Sequence, residues 1–394
     1  MPLKLRPAIT ADAPALTDIL HRAKASWGYP DDKMAEFVEA WHIREATIQS
    51  LQVTVAEQDG IPVAFSGVAQ QDEDTLLVHY LFVAPEVHGQ GIGSLLLKRA
   101  EDTARTKRLK RLYLEADTYA GSFYEKRGYR TLDTRASEMS PGDDIPLMEK
   151  VLPPSVFEVT GLDLRLSGNP WRFELENERE IASYFESAKK RIAMLWNGRT
   201  LKLTRFEFED GFLKGQFSES SYAAHIAWRD WGAPDASAFN LFGSAILRSR
   251  DGALLYGVMG AHTATAGMIY PPGGNLDLND LTPDGEVDVL SAIDRELEEE
   301  TGLKGADMVK AELLVAFDGP RISIAQVFDS DKPAADLSAQ MLKFSRASDE
   351  QELADIRIIR SHADLCDPAT MPFARDIGEY LLREHEGDAA ADSQ

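Results

Sequence analysis

Cysteine is almost missing from this chain: Cys366 is the single one in 394 residues. No intramolecular disulfide can form, which fits a reducing compartment and leaves Cys366 to be read as a small buried hydrophobe. Long apolar runs are missing too. None approaches the roughly 20 residues that span a bilayer, and the first residues lack the basic-then-apolar pattern of a secretory signal. The expectation is a soluble, cytoplasmic protein with no membrane partner. Cations are scarce, with 42 Lys+Arg against 65 Asp+Glu and a net charge of -23. Because phosphate backbones are held chiefly by Lys and Arg, general nucleic-acid binding is excluded. Most of the acidic excess lies after residue 154. The one dense basic run, Arg105 to Arg111, falls at a helix end, where cations meet the C-terminal dipole.

What is present is enough for more than one core: 44% of the residues are hydrophobic, and this length predicts two or three domains. The most informative stretch is Arg295-Glu296-Leu297-Glu298-Glu299-Glu300-Thr301-Gly302-Leu303. The run before it, from Val289, lacks Gly and Pro and carries apolar residues at helical spacing, and Gly302 supplies a stop. Glu296, Glu299 and Glu300 therefore share one helix face while Leu290, Ile293 and Leu297 turn inward. Crowded carboxylates repel unless a cation joins them, and a hard dication such as Mg²⁺ suits an all-oxygen site completed by substrate phosphates. A solvated acidic face is the bland alternative.

The arginine, the paired glutamates and the Thr-Gly-Leu ending resemble the second half of a Nudix box, and Pro271-Pro272-Gly273-Gly274 stands where that family has its glycine turn. The first half is stretched: eleven residues separate Gly274 from Glu286, where the family has five. The resemblance implies Mg²⁺ or Mn²⁺ held by Glu296, Glu299 and Glu300, with Arg295 orienting them, Glu296 as ligand or base, and Glu350 or Glu352 as a later acid. It implies attack of water on a diphosphate linkage in a nucleotide-type substrate. The long box and an N-terminal extension lean toward a nucleoside diphosphate sugar.

A second motif lies in the first third of the chain. Ala84-Pro85-Glu86-Val87-His88-Gly89-Gln90-Gly91-Ile92-Gly93-Ser94 runs from a strand end through a glycine turn into an apolar helix, and such a turn aims backbone N–H groups at an anion. With Leu81-Phe82-Val83 before it and Phe123-Tyr124-Glu125-Lys126-Arg127-Gly128-Tyr129 after the next strand, residues 3 to 151 resemble the GNAT acetyltransferases. The resemblance implies acetyl-CoA bound along Leu81 and Val83 and by His88, Gly89, Gln90, Gly91, Gly93 and Ser94, with His88 standing where relatives have Gln or Arg. It implies Tyr124 as the acid that protonates departing CoA, and admits His79 as a base.

The fold class expected is α/β (α+β): a GNAT fold, with a mixed central sheet flanked by helices, over 1–152; a linker and flanking α+β module over 153–240; a Nudix α/β/α sandwich over 241–386; and a disordered tail over 387–394. Within the module, Trp171 to Glu176 reads as a strand and Arg179 to Trp196 as a helix. The aromatic run Tyr222 to Gly232 either stacks a nucleobase or cements the module. The function expected is a bifunctional enzyme, a Mg²⁺-dependent pyrophosphohydrolase fused to an N-acetyltransferase whose amine acceptor is unknown. The alternatives are a hydrolase with an acyl-CoA sensor and a pair of non-catalytic modules. A homodimer is left open as the assembly.

Overall fold

The computed structural model describes residues 3–139, 142–190, 195–235, 237–263, 265–348 and 351–391, the last eight by backbone alone. Its contacts sort the chain into two compact units. The first is Met1–Pro153 with Asn177–Met194 and Ala223–Ala236; the second is Pro154–Glu176, Leu195–Tyr222 and Ser237–Gln394. The stretch read as one flanking module is thus shared between the two.

In the first unit β1 (Lys4–Pro7), α1 (Ala13–Ala25), α2 (Asp31–Ala40) and α3 (Glu45–Ser50) precede β2 (Gln52–Gln58), β3 (Ile61–Gln70) and β4 (Thr75–Val83). Then come α4 (Ile92–Thr106), β5 (Arg111–Glu115), α5 (Gly121–Glu125), β6 (Arg130–Ala136) and β7 (Asp144–Val151). The seven strands form one sheet in the order β1-β2-β3-β4-β5-β7-β6. Every pair is antiparallel except β4 and β5, which run parallel. Helix α4 buries Ile92, Leu95, Leu96, Ala100 and Ala104, the stripe that helical periodicity requires of a helix lying on a sheet.

The parallel pair is short. It comprises Thr75 with Arg111, Leu76 with Leu112 and Leu77 with Tyr113, after which β4 stays with β3 as far as Val83 and β5 stays with β7. Gly67 and Val68 of β3 face Tyr80 and Val78, which leaves His79 as the extra residue of a bulge in β4, and bulges increase local twist. The strands therefore part toward their C-terminal ends.

The chain continues through β8 (Val156–Glu158), β9 (Gly161–Leu166), α6 (Arg172–Glu176), α7 (Glu178–Lys189), β10 (Arg199–Glu209), β11 (Phe212–Ser221) and α8 (Tyr222–Asp230). The strand expected at Trp171 to Glu176 is a short helix instead. Trp171 and Phe173 are both buried and pack at 4.9 Å, whereas Leu175 is 61% exposed, so the alternation that suggested a strand fails at its third member. Residues 191–194 of the helix expected to follow lie outside the described residues.

The second unit adds β12 (Asn240–Arg248), β13 (Leu254–Met259), β14 (Ile269–Tyr270), α9 (Val289–Thr301), β15 (Val309–Asp318), β16 (Arg321–Asp329), α10 (Ala334–Ala347), β17 (Leu353–Ile359) and α11 (Pro372–Ala391). Its main sheet runs β14-β13-β12-β16-β15-β8, with β17 on β13; β10, β11 and β9 form a separate small sheet. One face of the main sheet packs Ile293 and Leu297 of α9 with Leu337 and Met341 of α10; the other packs Phe373, Ile377 and Leu381 of α11. The sheet thus has helices on both sides. Helix α11 extends through part of the stretch read as tail, and 392–394 lie outside the described residues. Cys366 is exposed, not buried: it ends a short 3-10 turn at the surface, its Sγ 3.4 Å from the His362 carbonyl.

Candidate active site

Where β4 and β5 part, a cavity of about 400 Å³ opens, lined by residues of both strands, of the glycine turn and of α5. The turn is built by backbone conformation. Gly89 and Gly91 have φ of 77° and 83°, the left-handed region that glycine alone enters at little cost, and Gly91 caps the N-terminus of α4. A β-carbon at Gly93 would sit 3.4 Å from Phe123 Cζ and 3.5 Å from Val83 Cγ2, so the helix start lies close on α5 and β4.

Leu81, Val83, His88, Gly89, Gly91, Gly93 and Ser94 all line this cavity, as do His79 and Tyr124. Gln90 does not; it is exposed on the outer side of the turn. His88 turns back on the strand, its Nε2 2.9 Å from the Val83 carbonyl. That bond requires a proton on Nε2 and occupies the last carbonyl of β4. Tyr124 is 7% exposed, and burial pushes its phenol well above the ordinary tyrosine range, so it keeps its proton at neutral pH. Desolvation moves His79 the other way, below the usual histidine value, and favours its neutral form.

Two features of this cavity escape sequence reasoning. Arg127 stacks on Phe123, with its guanidinium carbon 3.7 Å from the ring centroid, and donates from Nε to Ser94 Oγ at 3.0 Å. A cation is thereby fixed beside the N-terminus of α4. Asp117 accepts from Tyr29 Oη at 2.7 Å and pairs with Lys24, tying α1 and the segment after it to the loop beyond β5. Arg22 Nη1 donates to both carboxylate oxygens of Glu86 at 2.7 Å, tying the same helix end to the segment before the glycine turn. Arg127 lies inside the Phe123–Tyr129 run, whose resemblance is the one hint at it; Asp117 has no local signal.

In the second unit the glycine turn meets the glutamate helix. The Gly273 N–H donates to Glu300 Oε1 at 2.8 Å. A β-carbon on Gly274 would fall 2.5 Å from the Glu296 carboxyl carbon, and one on Gly273 would fall 2.1 Å from the Gly243 carbonyl oxygen. Gly273 is required by its close approach to backbone, whereas a side chain at Gly274 would displace the Glu296 carboxyl. Glu300 is 9% exposed and its Oε2 is buried with no hydrogen-bond partner. Burial, only partly offset by the Gly273 N–H and reinforced by Glu352 and Glu296, pushes its carboxyl up to about 8. Burial also raises Glu296.

The three carboxylates do not converge. Among the described residues no group of three His, Cys, Asp or Glu side chains is placed to hold a metal ion. Arg295 is the cation between two of them: its Nη1 donates to Glu296 at 2.8 Å and to Glu299 at 3.3 Å and its Nη2 to Asp280 at 2.9 Å, while Glu300 tucks apart under the glycine turn. Asp280, 7% exposed, comes from the stretch that lengthens the motif, a contribution the sequence does not advertise. Glu286 precedes α9 rather than riding on it, and bridges Arg165 through the backbone. Glu350 lies outside the described residues, and Glu352 is near enough to Glu300 to raise its pKa. The tryptophans of the aromatic run are core residues of the first unit: Trp228 is 1% exposed and Trp231 6%, and the Trp231 carbonyl accepts from the Leu5 N–H at 2.9 Å. Neither ring is open to a base.

Residues 14–129 match the model of the acetyltransferase (GNAT) family, so this stretch carries a GNAT acetyltransferase domain. No curated protein matches the chain. Among solved structures, PaiA N-acetyltransferase from Thermoplasma acidophilum, in complex with coenzyme A, is 18% identical over 39% of this chain and 100% of its own, with a TM-score of 0.34. A GNAT family acetyltransferase from Elizabethkingia anophelis with acetyl-CoA bound is 21% identical over 38% and 98%, with a TM-score of 0.29. Aminoglycoside 6'-N-acetyltransferase complexed with coenzyme A is 19% identical over 39% and 98%, with a TM-score of 0.31.

Proposed function

We propose that the first unit transfers the acetyl group of acetyl-CoA to an amine. The observation that carries this is the cavity between the parting ends of β4 and β5, roofed by a positive-φ glycine turn at the start of α4. The turn's N–H groups and the helix N-terminus favour a pyrophosphate, and Arg127, anchored on Ser94, adds the fixed cation such a group needs. Leu81 and Val83 would line the pantetheine arm. Acetyl-CoA supplies the activated thioester; the protein supplies the protons' routes. The amine nitrogen bonds to the acetyl carbon as the carbon–sulfur bond breaks. His79 takes the proton the amine loses, and Tyr124, which keeps its own proton at neutral pH, gives it to the sulfur. Calorimetric titration tests the ligand: acetyl-CoA should bind the intact chain and not the Gly91→Val variant. Equal binding by both would reject the turn as its site.

We further propose that the second unit is a Nudix-type pyrophosphohydrolase acting on a nucleoside diphosphate derivative, with a nucleoside diphosphate sugar as the leading candidate. Its support is the buried, unpartnered Oε2 of Glu300, a ligand atom without a counter-charge, beside a second desolvated carboxyl on Glu296. The carboxyls of Glu296 and Glu300 beside the turn would meet Mg²⁺ or Mn²⁺, and Glu299 would join them only once Arg295 lets it go; the ion would supply charge neutralisation and a more acidic bound water. A hydrolysis screen over nucleoside diphosphate sugars, CoA, ADP-ribose, NADH and dinucleoside polyphosphates checks this. Turnover that survives Glu299→Gln and Glu300→Gln would sink the assignment.

A further inference from the structure

The lining of the first unit's cavity carries groups of both signs. On the side of the glycine turn stands Arg127, with the N-terminus of α4. The remaining charged lining residues besides the histidines are Glu115, the last residue of β5, and Asp117, just beyond it. An anionic pyrophosphate and a cationic amine therefore have different lining groups to meet, the first on the side of the turn after β4 and the second on the side of β5. This step rests on the acetyl-transfer reading and concerns the other substrate.

Both carboxylates on the side of β5 are already matched. Glu115 pairs with Arg135 at 2.7 Å, and Asp117 pairs with Lys24 while accepting from Tyr29. They can orient one ammonium group but cannot neutralise a chain of them, because a polycation needs carboxylates not yet spent on arginine and lysine. The rest of the wall is apolar, including Ala23, Trp27, Leu81 and Leu114. Trp27 lies just after α1 and stacks on Tyr119, with ring centroids 5.9 Å apart and planes at 17°, yet the two rings remain 40% and 43% exposed. Such a pair is held flat from below by Tyr29, whose ring meets Tyr119 edge-on at 5.4 Å. A rigid, half-open aromatic shelf beside a site for one ammonium group favours a third ring.

We propose that the acceptor is a primary monoamine bearing an aromatic ring, with Trp27 as the residue that selects it. The ring lies against the Trp27–Tyr119 shelf, and the amine points past Asp117 toward His79. The ammonium first gives one proton to water, the neutral nitrogen then forms the amide bond as the thioester carbon–sulfur bond breaks, its second proton leaves to His79, and the sulfur takes the proton of Tyr124, which is made good through solvent by the one His79 gives up. Nothing beyond acetyl-CoA and the amine is consumed.

The test uses the full chain, acetyl-CoA and release of free thiol as readout, with 2-phenylethylamine, tryptamine, hexylamine, spermidine and an aminoglycoside as acceptors. The aryl amines should exceed hexylamine by about tenfold or more in kcat/KM, and Trp27→Ala should lose about tenfold for them, the equivalent of one stacked ring. Trp27→Phe should recover most of that, and the KM for acetyl-CoA should stay put in both variants. Preference for hexylamine, spermidine or the aminoglycoside overturns the proposal. So does acetyl-CoA binding without acetylation of any aryl amine. Failure to bind acetyl-CoA at all, seen by calorimetry, is a different result and rejects the acetyl-transfer reading itself.

Discussion

The Gly273 N–H and the Glu300 carboxylate are bonded at 2.8 Å although 27 positions separate them, so the glycine turn and the glutamate helix act as one piece of structure. A methyl at Gly273 would meet the Gly243 carbonyl oxygen at 2.1 Å, a contact that backbone must move to relieve. Gly273→Ala should therefore cost about 1–3 kcal/mol, as overpacking does, and shift Glu300. The checks are a melting curve and the Mg²⁺-dependent turnover; an unaltered pair of values would show that the turn and the helix are independent.

Tyr124 offers a cleaner separation of binding from chemistry. Its ring is part of the core that also holds Leu112, Leu114 and Tyr129, and phenylalanine keeps that packing. Tyr124→Phe should reduce the rate of acetyl transfer by about 10²- to 10⁴-fold while leaving acetyl-CoA affinity unchanged. Stopped-flow measurement with an aryl amine would decide it. An unchanged rate would leave thiolate protonation to solvent.

Stability should depend on acid through Asp12. This residue accepts from Arg6 at 2.7 and 2.9 Å and from the Ile9 N–H at 2.8 Å, and the hydrogen bonds from Arg6, foremost, hold its pKa below the usual carboxylate range. A carboxyl depressed on folding stabilises the fold above its unfolded pKa, and that contribution fades as pH falls through the folded value. Asp12→Asn should cost about 1–3 kcal/mol at pH 7. The gap from the parent should close below pH 3.8, the ordinary aspartate value. Denaturant melts at pH 7 and pH 3 compare the two.

Trp228 tests the division of the chain. It is 1% exposed in α8, its indole Nε1 donates to the Asp235 carbonyl at 3.2 Å, and its segment belongs with the first unit. Trp228→Ala should destabilise that unit by about 3–5 kcal/mol. A chain stopped at Pro153 should likewise melt lower and bind acetyl-CoA more weakly than the full chain, whereas equal behaviour would make α7 and α8 dispensable.

These cases show which parts of the molecule are legible in a sequence. Helix α9, its Asp288 cap and its Gly302 stop are local, and so is the glycine turn at Gly89 and Gly91; each is readable because neighbours along the chain decide it. In the sheet of the first unit β2 to β5 are readable as runs of apolar residues, whereas β6, exposed along its whole length, carries no such signal. What is not readable depends on partners distant in sequence. Arg127 finds Ser94 across 33 positions, and Asp117 finds Tyr29 across 88 and Lys24 across 93. Asp280 reaches Arg295 only because the lengthened loop folds back. The short alternation of Trp171, Phe173 and Leu175 shows the converse error, a local pattern too brief to separate strand from helix.

The first unit gathers its chain in three pieces, the last of them Ala223–Ala236. Synthesis proceeds from the N-terminus, and domains fold as their sequence becomes available. The acetyltransferase half must therefore wait for the chain from 152 to 228, beyond its own sheet, to leave the ribosome before Trp228 can be buried. By then β8 to β11 of its neighbour have been made as well. Maturation of the two halves is interleaved in time, and a nonsense change anywhere between 154 and 222 would remove the second unit and deprive the first of its final helix.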